Sequence, residues 1–124
     1  MRYMMFIKHT EDYFGKTPTP ELMQAMGDFV MPLVKSGKII EAGGLMSTRR
    51  GKKFQLRSGK IDVIDGPFTE SKEIIGGYTL VECASEKEAI DLARQFVELH
   101  RVHAPGMDVE CELRPLQTGM PGSE

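Results

Sequence analysis

The hydrophobic positions of the chain follow two periods, and each period predicts one type of element. Runs typical of strands occupy residues 1–8, 39–46, 53–57, 60–64, 74–83 and 107–114. Apolar residues at three- and four-residue spacing predict a helix between Thr19 and Ser36 and a second helix from Ser85 to near His103. The order is β-α-β, an inserted hairpin, then β-α-β, which predicts an α+β fold of the ferredoxin-like, split βαβ type.

Local signals mark where the predicted helices begin and where the first could break. Thr19 precedes Pro20 as an N-cap, and Ser85 with Glu88 forms a capping box for the second helix. Pro32 lies inside the first helical pattern and removes one backbone hydrogen bond. The sequence therefore predicts a kink or an early end at this proline.

The predicted sheet has one face that the two helices leave uncovered. The first strand carries apolar residues on both faces, which is typical of a central strand. Ser58-Gly59 predicts a two-residue hairpin loop between two short strands. Because a sheet with a bare face is not stable alone, the pattern predicts a homodimer packed through its sheets.

Composition narrows the class of protein. The chain has 124 residues, 40% hydrophobic and 27% charged, which fits one compact domain over residues 1–116 with a loose tail at 117–124. The net charge of -2 argues against nucleic-acid binding. No apolar run is long enough to cross a membrane, and the N-terminal run is too short for a secretory signal. We therefore expect a cytoplasmic protein in which Cys83 and Cys111 are free thiols.

Asp65 is the first residue with candidate catalytic chemistry. It ends a predicted strand beside the Gly66-Pro67 turn, whose rigidity would hold a carboxylate in a fixed position. The structural alternative is an Asx turn, in which the carboxylate accepts hydrogen bonds from nearby backbone N–H groups. Both roles stay open at this point.

His100 and His103 are candidate acid–base residues near the end of the second helix. At a spacing of three residues they are expected to share a face, and imidazole exchanges protons near neutral pH. The structural alternative is that both neutralise the last helix carbonyls. Because no clear third ligand accompanies them, no metal site is expected. His9 is expected to lie at the surface, at the end of the first strand.

Charged residues alternate with apolar ones along the last strand. Glu110, Glu112 and Arg114 point away from the apolar set. If the apolar set faces the helices, the charged set lies inside the dimer. A buried charge there must be paired with an opposite charge or must serve in ligand binding or acid–base chemistry. Glu112 and Arg114 are therefore candidate substrate-binding residues. The structural alternative is an ion pair of Glu112 with Arg114, Arg57 or Lys8.

One run of the chain is specific enough to indicate a family. Residues 65–70 read Asp-Gly-Pro-Phe-Thr-Glu and are followed by Lys72-Glu73 and Gly76-Gly77-Tyr78. This run resembles the signature of the DGPF-domain branch of the YCII-related family. The opening strand, Gly43-Gly44-Leu45 and the C-terminal segment from residue 98 are similar to the same family. The resemblance implies a dimeric α+β barrel.

The resemblance indicates a fold more specifically than a function. The leading hypothesis is a small-molecule enzyme or ligand-binding protein with acid–base chemistry and no cofactor. Its site would be a barrel cleft lined by Asp65, Glu112 and Arg114, with His100 or His103 near the mouth. The wider family includes a dehydrochlorinase of a chlorinated hydroxyquinol, so the resemblance allows such chemistry. The alternative is a non-catalytic regulatory or interaction module, since the resemblance also implies an association with extracytoplasmic-function sigma factors, in or beside which DGPF domains occur.

Overall fold

The computed structural model describes residues 1–9, 19–68 and 74–117 and has the expected order of elements. The described strands are β1 (Arg2–His9), β2 (Ile39–Gly44), β3 (Lys52–Arg57), β4 (Lys60–Asp65), β5 (Ile74–Glu82) and β6 (Glu110–Pro115). The helices are α1 (Pro20–Lys35) and α2 (Glu86–His103), and a 3-10 turn spans Thr48–Arg50. The ferredoxin-like α+β fold is confirmed. Residues 118–124, most of the predicted tail, lie outside the described residues.

Four strands form an antiparallel sheet in the order β2-β5-β1-β6, and β3 pairs with β4 in a separate hairpin. β1 lies between β5 and β6, so its central position is confirmed. The hairpin turn is also confirmed, since Ser58 and Gly59 have φ angles of 50° and 77°, as a two-residue hairpin turn with two positive φ angles requires. β6 begins at Glu110 rather than at residue 107, because Lys8 opposite Glu110 is the last residue of β1 that pairs with it.

Both helices pack on one face of the four-stranded sheet. The buried cluster joins Tyr3, Met5 and Val81 of the sheet to Ala89 and Leu92 of α2. Removing such apolar side chains from water contributes roughly 25 cal/mol per Å² and is the main force that holds the helices on the sheet. Among the described residues, neither helix is long and apolar enough to cross a membrane.

The predicted N-caps are confirmed at both helices. Thr19 Oγ1 accepts a hydrogen bond from the Leu22 N–H at 3.1 Å, and Ser85 Oγ accepts one from the Glu88 N–H at 3.2 Å. The Glu88 carboxylate accepts from the Ala84 N–H at 3.3 Å, one residue before the cap. These bonds satisfy backbone donors that have no partner within the helix.

The early end of α1 suggested by Pro32 is wrong. The helix continues to Lys35, and the Ser36 N–H donates to the Pro32 carbonyl oxygen at 3.0 Å. Val30 and Leu33 on either side of the proline pack against the buried cluster. Burial of this apolar face offsets the one hydrogen bond that the proline removes.

Candidate functional site

A cavity of about 340 Å³ opens between the two helices and one end of the four-stranded sheet. Its titratable side chains include His9 from β1 and His100 from α2. We call it the two-histidine cavity. The rest of its described lining is Ile7, Met26, Val30, Ala42, Gly43, Gly44, Gly76, Gly77, Tyr78, Thr79 and Phe96. Two imidazoles from different elements therefore line the same cavity.

His100 is oriented by its own helix. Its Nδ1 lies 3.0 Å from the carbonyl oxygen of Phe96, and the two rings pack with centroids 4.9 Å apart. A carbonyl oxygen can only accept, so Nδ1 carries the proton. Nε2 of the neutral ring then keeps its lone pair. Because His100 is 5% exposed and lines the cavity, α2 provides a fixed imidazole with one nitrogen able to accept a proton.

His9 is buried, with 6% of its surface exposed, so the expectation of a surface histidine is wrong. Its ring lies against β5 at Gly76, where a Cβ atom would be 1.8 Å from the Nε2 atom of His9. The pairing of β1 with β5 shifts register between Ile7 and Lys8, next to this contact. A glycine within a strand often marks such a close approach, so Gly76 carried the sequence signal for it. The register between the two strands, which sets this contact, could not be read from the sequence.

The lining of the two-histidine cavity is otherwise uncharged. Among its described residues there is no aspartate, glutamate, lysine or arginine. The phenol of Tyr78 donates to the carboxylate of Glu41, at 3.3 Å. In the described part of the chain, no group of three or more histidine, cysteine, aspartate or glutamate residues could hold a metal ion. The cavity can therefore offer hydrogen bonds and proton transfer through its imidazoles, within apolar walls.

Asp65 lies elsewhere, at the end of β4 in the hairpin. Its side chain is 74% exposed and forms an ion pair with Lys52. The adjacent Gly66 packs on the 3-10 turn, since a Cβ atom there would lie 1.6 Å from the Thr48 carbonyl oxygen. The Gly66 N–H also donates to the Gly51 carbonyl oxygen at 3.0 Å. Asp65 and Gly66, the first two residues of the family-like run, therefore close the base of the hairpin. Asp65 is not among the residues that line the two-histidine cavity.

Glu112 and Arg114 lie on the sheet face that the helices leave uncovered. Lys8 Nζ is 2.7 Å from Glu112 Oε1, and Arg114 Nη1 is 4.0 Å from Glu112 Oε2. The hydrogen bond from Lys8 lowers the pKa of Glu112 below its usual value. The structure thus brings Glu112 and Arg114 together, as the sequence predicts, but in an ion-pair cluster with Lys8. Their role in substrate binding stays a prediction.

The structure separates His103 from His100. His103 lines a separate groove of about 420 Å³ with Phe29 and Glu98, whereas His100 lines the two-histidine cavity. The His103 carbonyl oxygen also accepts a hydrogen bond from Thr19 Oγ1 at 3.3 Å, which ties the end of α2 to the start of α1. Of the five residues proposed from the sequence, His100 is the one placed in this cavity, and sequence reasoning missed its partner His9.

Comparison with known proteins supports the family resemblance. The family model of the YCII-related domain matches residues 1–98. The chain is also 30% identical over 109 residues to "Uncharacterized protein R00369" of Rhizobium meliloti (strain 1021), an alignment that covers 88% of this chain and 84% of that protein. The family match includes His9 and ends shortly before His100.

Proposed function

The chain belongs to the YCII-related domain family, and we propose that it is a small-molecule enzyme or ligand-binding protein whose site is the two-histidine cavity. The observation that carries the proposal is the 3.0 Å contact between His100 Nδ1 and the Phe96 carbonyl oxygen. This contact defines which nitrogen of a buried imidazole can receive a proton. A base at an active site needs this kind of fixed orientation more than it needs high intrinsic strength.

The proposed chemistry is proton transfer without a cofactor. A weakly acidic O–H or C–H group of the ligand donates its proton to Nε2 of His100. Nδ1 keeps its own proton and continues to donate a hydrogen bond to the Phe96 carbonyl oxygen. The imidazolium that forms lies in the last turn of α2, where the helix dipole stabilises positive charge. Two features support this proposal: Nε2 of His100 can accept the proton, and the helix dipole stabilises the imidazolium that forms.

His9 and the apolar walls complete the proposed site. His9 reaches the cavity from the sheet, so a ligand can contact an imidazole on each side. Met26, Val30 and Phe96 give the same space apolar walls. In such surroundings a hydrogen bond to either imidazole is stronger than in water. The described lining contains no lysine or arginine, which favours a neutral, largely apolar ligand over a phosphorylated one.

Phenol is a suitable probe because it joins an apolar ring to one weakly acidic hydroxyl. We expect phenol to shift the amide resonances of Gly76 and Gly77 in a titration followed by NMR. His100→Gln removes the imidazole and should weaken phenol binding by roughly tenfold or more, the effect of losing about 1.4 kcal/mol. His103→Gln, a change on the same helix outside the cavity, should leave the affinity unchanged. Absence of binding to the wild-type protein, or equal losses in both variants, would contradict the proposal.

The uncovered sheet face supports the second part of the proposal, a homodimer. Met4 opposes Leu80, and Phe6 opposes Tyr78, on the face away from the helices. All four are only half-buried within one chain. A second copy of the same chain can cover this face with the same residues through a two-fold axis.

We also propose a cytoplasmic location. Cys83, which directly follows β5, and Cys111, which lies in β6, are free thiols. Free thiols are usual in a reducing compartment. Fractionation of cells that carry a tagged protein tests the location, and recovery in a membrane or secreted fraction would contradict it.

A further inference from the structure

A second cavity, of about 520 Å³, lies where the base of the hairpin meets the end of the four-stranded sheet. It shares no described lining residue with the two-histidine cavity, although Ile74-Ile75 at its wall directly precede Gly76-Gly77 in β5. We call it the hairpin-base cavity. Its apolar wall consists of Leu45, Phe68, Ile74 and Ile75, and two cations, Arg50 and Lys53, also line it.

In the described part of the chain, the guanidinium group of Arg50 has a weak acceptor beside it. Its Nη1 lies 3.3 Å from the thioether sulfur of Met46. Thioether sulfur accepts hydrogen bonds weakly, and a guanidinium has five N–H donors. Within residues 1–9, 19–68 and 74–117, no carboxylate forms an ion pair with Arg50. Most of its donors are therefore available to a ligand in the cavity.

Lys53 and Phe68 add an aromatic surface and further positive charge. Lys53 Nζ lies 4.4 Å from the centroid of the Phe68 ring, a cation–π distance. The Phe68 N–H donates to Thr48 Oγ1 at 3.1 Å, which holds the ring at the edge of the cavity. A planar apolar ligand can therefore contact Phe68 while its polar end lies beside the cations.

We propose that the hairpin-base cavity binds a small organic carboxylate. The carboxylate pairs with the fork of N–H groups on Arg50, a geometry that suits guanidinium and carboxylate. The apolar body of the ligand packs against Leu45 and Ile74. A single anionic group on an apolar body matches this lining, in which a guanidinium and an ammonium group lie beside apolar side chains. This site is independent of the proposed function.

The experiment compares 2-naphthoate with its neutral analogue 2-naphthamide. We expect 2-naphthoate to bind saturably in calorimetry and to shift the amide resonances of Leu45, Gly51 and Ile75. Arg50→Gln should weaken binding by about tenfold or more, as expected for the loss of a charge-assisted hydrogen bond. Arg49→Gln removes the same charge from the same 3-10 turn outside the cavity lining and should leave binding unchanged.

Any one of the following results would overturn the assignment. The first is absence of 2-naphthoate binding to the wild-type protein. The second is an equal loss of affinity in Arg49→Gln and Arg50→Gln, which would indicate attraction to net charge alone. The third is equal binding of 2-naphthamide, or resonance shifts confined to the two-histidine cavity, since either shows that Arg50 does not recognise the carboxylate. Phenol binding is measured separately, so failure here leaves the proposed function to its own test.

Discussion

The imidazole of His9 occupies the space that a side chain at position 76 would need. A Cβ atom at Gly76 would lie 1.8 Å from His9 Nε2, far below any real contact distance. The two residues belong to neighbouring strands, so the absence of a side chain on β5 allows the burial of a histidine from β1. The wall of the two-histidine cavity depends on this pair.

Gly76→Ala should therefore destabilise the protein through a steric clash. We expect a loss of about 1–3 kcal/mol in the free energy of unfolding, the usual cost of overpacking. Chemical denaturation measures it. Phenol binding should weaken as well, because the His9 ring must move.

The matched control is the same change in a His9→Ala background. If His9 causes the clash, most of the cost of Gly76→Ala disappears in the double variant. An unchanged cost would show that the backbone, rather than the His9 ring, requires glycine at position 76.

The homodimer gives a second prediction. Phe6→Glu places a charge on the uncovered sheet face, opposite Glu112. Sedimentation of the wild-type protein should show a dimer, with an interface of roughly 2,000 Å² or more, and the variant should sediment as a monomer. Ile90 lies on α2 and is 45% exposed, so the Ile90→Glu variant should remain dimeric. A wild-type monomer at micromolar concentration would contradict the proposal.

The two cysteines should react slowly in the folded protein. Burial raises the pKa of both thiols, Cys83 and Cys111, so little thiolate is present at neutral pH. Mass spectrometry after iodoacetamide treatment should find both cysteines modified in urea and largely unmodified in native buffer. An intrachain disulfide is not expected, because β1 separates β5, which Cys83 directly follows, from β6, which contains Cys111. Detection of that bridge would contradict the strand order.

The acid stability of the protein should depend on Glu88. Lys38 Nζ lies 2.7 Å from Glu88 Oε1, and this hydrogen bond, with one from the Ala84 N–H, lowers the pKa of Glu88 from 4.5. A lowered folded-state pKa means that the stabilisation is present above the unfolded-state pKa and is lost as pH falls through the folded-state pKa.

Glu88→Gln should therefore unfold more easily than the wild-type protein at pH 7, and the difference should shrink as the pH falls below 4.5. Denaturant titrations at a series of pH values measure it. Glu86→Gln, in the same helical turn, leaves the Lys38 ion pair intact and should preserve the wild-type pH dependence. A constant difference across the acid range would argue against the ion pair as the cause.

Asp65→Asn distinguishes the two roles left open for this residue. Because the Asp65–Lys52 ion pair is exposed, we expect a change of less than about 1 kcal/mol in stability and no change in phenol affinity. Thermal melts and the phenol titration measure both. Asp62→Asn, on the same strand, is the control. Weaker ligand binding in Asp65→Asn alone would support the catalytic role predicted from the sequence.

Local chemistry determined most of the secondary structure. Thr19 and Ser85 cap their helices because a side-chain oxygen can reach a backbone N–H two or three residues along, which needs no distant partner. Ser58-Gly59 forms its hairpin turn for the same reason, since φ preferences belong to single residues. The family-like run at residues 65–68 differs, because its contacts at the base of the hairpin are with Thr48 and Gly51, more than ten residues away in sequence.

Only the tertiary structure decided where the candidate chemistry lies. Whether Gly76 faces His9 depends on the register between β1 and β5, and a shift of one residue would turn every side chain to the other face. His100 and His103 are close in sequence, yet packing buries the first and leaves the second in an outer groove. Pro32 interrupts a helical pattern locally, but the buried face of α1 outweighs that loss. These outcomes depend on contacts between distant residues, and a periodic pattern records which positions are buried but not what they are buried against.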